Sequence, residues 1–435
     1  MHHHILTTII KLLLIISLTF LNPIIIASSY ATDISTNTPN NPPLPTNPPL
    51  QIDGTTNTSI DSTANGVPIV NIAPPNNFGL SHNKFNSYNV DPSGLVINNA
   101  TGNPNQAVQT SIAGLITDNP NLTNSGSARA ILNEVTSTNR SILNGYTEIG
   151  GRQADLIIAN PNGIEMNSSG FINVGKLTAI IGSANQFNGD PSNLSFNLNG
   201  NKNSGNNFLP KLTISGLGLD VTRVTETDLV ADIMEIVAPI YGGDNIVNLR
   251  AGDKEFNYNI KEVTSNNNPE STQPDEVAID ASNIAKIQAG QIYMIATKEG
   301  FGVKYTGDML ASRGGVTIDA KGNIIYNNIA SQSGDINIKT INGNVTTTGI
   351  THNKDINSNI TIKASKNLNN QAQLISAKDV NVTADIINNS KEIIAGNEIS
   401  ITANQITNND TIIAGNKINI TAQDHLIPIP IFNTI

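Results

Sequence analysis

Few side chains in this sequence are suited to chemistry. It has no cysteine, which removes thiolate nucleophiles, thiolate metal sites and disulfides together. Three of its six histidines, His2-His3-His4, precede an apolar run and read as leading polarity rather than as a metal site. The others, His82, His352 and His425, are far apart in the chain. Asp335, Asp355, Asp379 and Asp385 supply carboxylates. A close carboxylate pair could hydrolyse a glycosidic bond, and a cluster with further oxygens could hold calcium. These four are scattered, with no repeated Asp ladder. A Ser-His-Asp set can be assembled on paper from any such chain, and no phosphate-cradling P-loop pattern is present. No enzymatic activity, catalytic residue, metal or cofactor is expected.

Two short strings say more. Asn119-Pro120-Asn121-Leu122 and Asn160-Pro161-Asn162-Gly163-Ile164 each place a strong turn inside an apolar strand pattern. Pro fixes φ, Asn tolerates the left-handed region and Gly allows φ > 0. At the least, both are tight turns between strands.

The elements that must hold these turns follow from composition. Charged residues are 13% and aromatic residues 4%, too few for an ordinary helical protein; Asn, Ile, Thr and Ser dominate instead. Ile, Val and Thr favour strands, and Asn and Gly favour turns. The chain is expected to be all-β. A net charge of −10 and a pI near 5.0 argue against a nucleic-acid binder, which needs a basic stripe.

The N-terminus reads as a targeting segment. Lys11 precedes the apolar run Leu12–Ile26, interrupted by Asn22-Pro23 and short for a membrane span. Ala27-Ser28-Ser29-Tyr30-Ala31 follows, with Ser29 and Ala31 as the small residues of a signal-peptidase site. A cleaved signal peptide over residues 1–31 is expected, then a Pro/Asn/Thr-rich linker over 32–64. No other segment is long and apolar enough for a helical span, and the C-terminus offers no clear block of barrel strands. If the chain leaves the cell, a separate carrier must take it.

From Val67 onwards, short apolar runs alternate with Asn, Gly, Pro and Asp. Thr227–Ala238 is the best helical candidate, but a short turn followed by a strand is the preferred reading. Leu198–Asn207 and Ser265–Asp275 are polar insertions that read as projecting loops. The last third repeats: Val316/Ile318, Ile336/Ile338, Ile360/Ile362, Val380/Val382, Ile399/Ile401 and Ile418/Ile420 recur about every 19–20 residues, with one longer step. Such a period indicates a stacked β-solenoid with one coil per repeat, and residues two apart point to one face, here the core. Asn369-Asn370, Asn388-Asn389 and Asn408-Asn409 recur with it and are expected to stack as Asn ladders. After Ala422 the pattern fails. The tail "HLIPIPIFNTI" suits either a fold-back cap or the cut end of a longer filament, the latter being preferred.

Long stretches of Asn65–Ile325 resemble the N-terminal secretion domain of filamentous haemagglutinins and related two-partner-secretion exoproteins. "ANGVPIVNIAPPNNFGLSHNKFNSYNVDPSGLVINN" is similar to the family's opening. "DNPNL" and "ARAILNEVTSTNRSILNGYTEIGGRQADLIIANPNGI" carry its two hallmark motifs, Asn119–Leu122 and Asn160–Ile164. "NSSGFINVGKLTAIIG" and "IQAGQIYMIATKEGFGVKYTGDMLASRGGVTIDAKGNI" continue the likeness. The resemblance implies a right-handed, pectin-lyase-like parallel β-helix with an N-terminal cap. It makes 65–325 the secretion domain and leaves 326–435 as β-helix repeats with a short irregular tail.

The same resemblance implies a route. Sec-type machinery would export the chain to the periplasm of a Gram-negative bacterium. An outer-membrane transporter with periplasmic binding domains would then pass it to the surface or medium. The Asn-Pro-Asn segments would hold coil corners, their Asn side chains capping their own turns, and so shape the docking surface. The expected product is a secreted or surface-exposed, adhesin-like protein able to meet a host or bacterial receptor. The alternatives are a truncated remnant of a larger adhesin or the stalk of a contact-dependent toxin; at 435 residues no globular toxin domain is expected.

Overall fold

A computed structural model describes residues 49–102, 107–198, 209–266, 276–426 and 431–433. The expected signal peptide, with Ser29 and Ala31, lies outside the described residues. So do most of both polar insertions.

Strands build nearly everything. The alternation of Ile, Val and Thr with short polar residues gives each strand one apolar face, and Asn, Gly and Asp break the chain before a helix can start. The only helical turns among the described residues are two short 3-10 segments, Pro120–Leu122 and Pro191–Asn193. The strands form a right-handed parallel β-helix of about 14 turns.

Each coil contributes to three faces in a fixed order. Ile287–Ala296 serves the third face and then the first, Phe301–Tyr305 the second, and Met309–Ala320 returns to the third and first. The first face runs from Leu80–Ser87 through Ala130–Val135, Ala154–Ala159, Val174–Ile180 and Glu226–Ala231 to Lys417–Leu426. The third runs from Pro68–Asn71 through Leu95–Asn99 and Tyr146–Gly151 to Ile431–Asn433. Inward side chains from all three faces merge into one continuous core.

The repeat pairs lie in register. Val316, Ile336, Ile360, Val380, Ile399 and Ile418 stack directly, as do Ile318, Ile338, Ile362, Val382, Ile401 and Ile420. All but the last coil's pair are fully buried. Burying such a side chain stabilises by about 1.5–3 kcal/mol, so each coil supplies its own share of the core.

The Asn pairs stack only in part. Asn369 lies over Asn388, and Asn370 over Asn389. The third pair is shifted by one: Thr407 stacks on Asn388 and Asn408 on Asn389, which leaves Asn409 beyond the column.

Three further expectations change. Residues 49–64, read as the end of a linker, are folded: Gln51–Ile52 pairs with Leu80–Ser87 and Ser59–Ser62 with Pro68–Asn71, both antiparallel, forming the N-terminal cap. Their polar composition hides this, because they gain mostly backbone hydrogen bonds rather than core. Thr227–Ala238 holds two strands, Glu226–Ala231 and Met234–Ile236, on different faces with a corner between them. The ladder also outlasts Ala422: Lys417–Leu426 and Ile431–Asn433 are coil strands in register with the coil before.

Two antiparallel additions ride outside the N-terminal coils. Val108–Thr110 and Gly114–Ile116 form a hairpin over Val67, Ile69 and Val96. Ser183–Ala184, Ser195–Asn197, Glu255–Asn257 and Glu262–Thr264 form a four-stranded sheet over Leu132, Ile157, Ile180 and Val230. These are outward residues of the first face, apolar because a second layer covers them.

Candidate functional site: asparagine staples of the N-terminal coils

The two Asn-Pro-Asn turns share one construction. Asn119 accepts the backbone N–H of Asn121 at its side-chain oxygen, at 2.9 Å. Its amide nitrogen donates to the carbonyls of Ile72 (3.0 Å) and Asn98 (2.9 Å) in the preceding coils. Asn121 then donates to the carbonyl of Asn57 in the cap at 2.7 Å. In the second turn, Asn160 accepts the N–H of Asn162 at 2.9 Å. Its amide donates to the carbonyl of Asn139 and to Ser141 Oγ, both at 2.9 Å. Asn162 donates to the carbonyl of Ser137 at 2.8 Å.

In each turn, then, the first Asn closes its own turn, and both Asn residues bind it to backbone laid down earlier. Asn119 and Asn160 are buried, at 2% and 0% exposure, so they act on the fold rather than at its surface. Pro120 is exposed, Pro161 half-buried, and Leu122 and Ile164 enter the core. Gly163 has φ +111°, and a Cβ there would come within 3.2 Å of the Lys211 carbonyl. Only glycine meets both conditions at low cost.

Carboxylates fasten the outer additions. Glu148, 5% exposed, accepts the N–H groups of Ser111 (2.7 and 2.8 Å to its two oxygens) and Ile112 (3.0 Å) at the tip of the hairpin. Glu134 takes His82 Nε2 at 2.8 Å and the N–H of Ala184 at 3.0 Å. Buried Asp228 holds Arg250 Nε at 2.7 Å and Lys261 Nζ at 2.8 Å, the lysine reaching in from the outer sheet. Nearby Asp155 is pushed above its ordinary pKa by burial. The sequence reading missed Glu134, Glu148 and Asp228. Their signal, an acidic residue in an apolar strand, was present but unpaired with any obvious cation.

The residues weighed for catalysis serve turns or packing. Asp335 caps the N–H of Asn359 at 2.7 Å, and Asp355 that of Asn357 at 3.0 Å. Asp379 accepts from Asn397 Nδ2 and Glu398 N–H, and Asp385 from Asn404 Nδ2. His352 sits half-buried on the third face, its pKa lowered by burial and by Lys354. The backbone of His425 is in register with that of Gln405 in the last coil. Among the described residues no group of three or more acidic, His or Cys side chains could hold a metal.

A parallel β-helix with a capped start, two buried Asn staples and a second layer over its first coils defines a class of parallel β-solenoid. The chain belongs to the TPS secretion domain family, whose model matches residues 50–326. One solved relative, a filamentous hemagglutinin secretion domain, aligns with TM-score 0.63 and 27% identity, over 72% of this chain and 99% of that one. A tRNA nuclease CdiA of Escherichia coli NC101 is 37% identical over 269 residues, which are 62% of this chain and 8% of that protein. A 16S rRNA endonuclease CdiA of Enterobacter cloacae is 35% identical over 304 residues, 68% of this chain and 9% of that protein. The chain thus spans under a tenth of the curated relatives it matches. It is a two-partner-secretion exoprotein chain. What it shares with these proteins is a secretion domain rather than an enzyme, of a kind exported across the Gram-negative outer membrane.

Proposed function

We propose that residues 1–31 direct Sec-type export with cleavage after Ala31. The N-terminal coils then engage a dedicated outer-membrane transporter through its periplasmic binding domains. In this reading Asn119–Leu122 and Asn160–Ile164 are secretion motifs that work by shape, with no catalytic group or cofactor. One observation carries it: within the span of the family match, both motifs pin their coil to earlier backbone through buried amides. The chain threads outward and folds coil by coil, each coil adding its own apolar pair and backbone bonds. The secreted or surface-held product serves as an adhesin-like protein for a host or bacterial receptor. A second reading, a toxin-delivery stalk, draws support from the nuclease names of its relatives.

The test is secretion in a Gram-negative host with and without a cognate transporter. Transporter-dependent protein in the medium or on the surface, reduced by Asn160→Ala/Asn162→Ala, supports the reading. Protein retained in every arm, while the transporter exports another substrate, sinks it.

A further inference from the structure

Two patches of outward apolar residues in the early coils lie under a second layer. The outer sheet covers Leu132 and Ile157 of the first face, and the hairpin covers Ile69 and Val96 of the third. The late coils carry a longer apolar column on their third face. Leu310, Ala330, His352, Ile375, Ile394 and Ile413 stack there in register, pointing outward. Their strand neighbours, such as Ile393 and Ala395 beside Ile394, enter the core, and none of the six does. Ile375, between His352 and Ile394, is 6% exposed, and the others are half-buried.

The other two faces of the same coils are polar outside: Thr361, Asn381 and Ser400 on the first, Thr346, Asn369 and Asn388 on the second. That is the pattern of a sheet turned to water, and the third face departs from it. Among the described residues no strand lies over this column, because both outer additions sit on the early coils. The stripe also extends towards the early coils: exposed Tyr241 continues the column through Gln288, and exposed Val237, Ile284 and Ile350 line the corner by which the chain enters this face.

We propose that the third face of the late coils is a self-association surface, covered by the same face of a second copy of this chain with the two solenoids parallel. Three features select that occupant. The stripe repeats at every coil, about 4.8 Å apart, and a second copy carries the same spacing along its whole length. From Tyr241 to Ile413 the stripe is roughly 35–40 Å long and 10–15 Å wide, so two copies face to face bury on the order of 1,000 Å² in total, the low end for a specific interface. Beside the column, the edge where the chain enters this face carries Asp308 and Glu392, and the edge where it leaves carries Lys354. A two-fold axis along the solenoid sets the entering edge of one copy against the leaving edge of the other, carboxylates towards lysine, and lays Ile375, Ile394 and Ile413 on their own counterparts. Antiparallel copies would set carboxylate edge on carboxylate edge.

The test is sedimentation equilibrium of the full chain, with a reversible dimer expected at about 10–100 μM. Ile394→Lys should weaken self-association about tenfold or more, while Asn381→Lys, outward on the first face of the neighbouring coil, should leave it unchanged. Thermal melts of both variants should match wild type. Orientation is read by oxidation, since the chain has no cysteine of its own. Leu310→Cys and Ile394→Cys, introduced singly and four coils apart in the column, should each give a disulfide-linked dimer. A chain that stays monomeric at about 100 μM overturns the proposal, as does a dimer that folded Ile394→Lys leaves intact. Linkage at only one of the two positions overturns the parallel arrangement, and linkage at neither places the contact elsewhere.

Discussion

One column of outward residues on the first face passes through two different regions. In the early coils it reads His82, Leu132, Ile157, Thr178 and Asp228. In the late coils it reads Thr317, Asn337, Thr361, Asn381, Ser400 and Asn419. The backbone ladder is the same throughout. The early column carries Leu132 and Ile157 where a second sheet covers it and a buried Asp228 that holds a lysine of that sheet, and the late one is short and polar because it faces water. The early coils are also held by bonds that reach back two coils or into the cap, such as Asn121 to Asn57. Among the described residues the late coils bond mostly to their nearest neighbours, such as Asn370 to Asn389 at 2.6 Å, and Asn342, which reaches Glu299 two coils back at 2.7 Å, lies at their start. The same coil architecture therefore supports a cooperative block followed by a nearest-neighbour array.

The largest effect should come from Asn160→Ala. The change removes the acceptor for Asn162 N–H and the donor for Asn139 and Ser141, all at a fully buried site. A loss of about 3 kcal/mol is expected, spread over the early coils, and chemical denaturation with hydrogen exchange measures it. Protection lost only at residues 137–164 would break the idea of a cooperative block.

Asn389→Leu tests the other side of the comparison. Asn389 sits between Asn370 and Asn408, donates to the latter, and is 1% exposed. Removing it should cost about 2 kcal/mol, confined to the coils around it. Asn389→Thr should cost less, because Thr347 already heads this column and donates to Asn370. Exchange rates that rise in the early coils as well would contradict a nearest-neighbour array. Two residues' difference in exposure then sharpens the point. Asn388, one position earlier, points outward and meets Asn369 at 3.1 Å in water. Asn388→Ala should change stability by no more than about 0.5 kcal/mol.

The same comparison explains what could be read from the sequence. The late coils were legible because each repeats one local solution: Val380/Val382 and Ile399/Ile401 stack as their spacing implies. The shift of Asn408-Asn409 was not, since a change of one residue at a corner leaves the composition unaltered. The Asn-Pro-Asn turns were legible as turns from residue type alone. Their reach to Asn57, Ile72 and Ser137 was not, because those partners are fixed by how coils stack. The cap strands Gln51–Ile52 and Ser59–Ser62 escaped notice for a related reason. They are held by antiparallel pairing rather than by an apolar period, and period was the signal being read. Glu148 escaped because its partners are backbone amides, which have no letter in the sequence.

The smallest effect should appear in the late region's one longer coil. Asp355 caps Asn357 N–H and takes Ser358 Oγ at 2.7 Å, and these bonds lower its pKa from 3.8 to about 2. Because the folded value lies below the unfolded one, the cap's contribution is complete above the unfolded pKa. It fades as pH falls from about 4 towards 2. The group is at the surface, so the change should be local, seen as faster exchange at Asn357 and Ser358 in acid with the global melt unmoved. Asp355→Asn should flatten that pH dependence. If acid instead loosens the whole array together with this loop, the late coils are more tightly coupled than their nearest-neighbour bonding allows, and the contrast with the early block disappears.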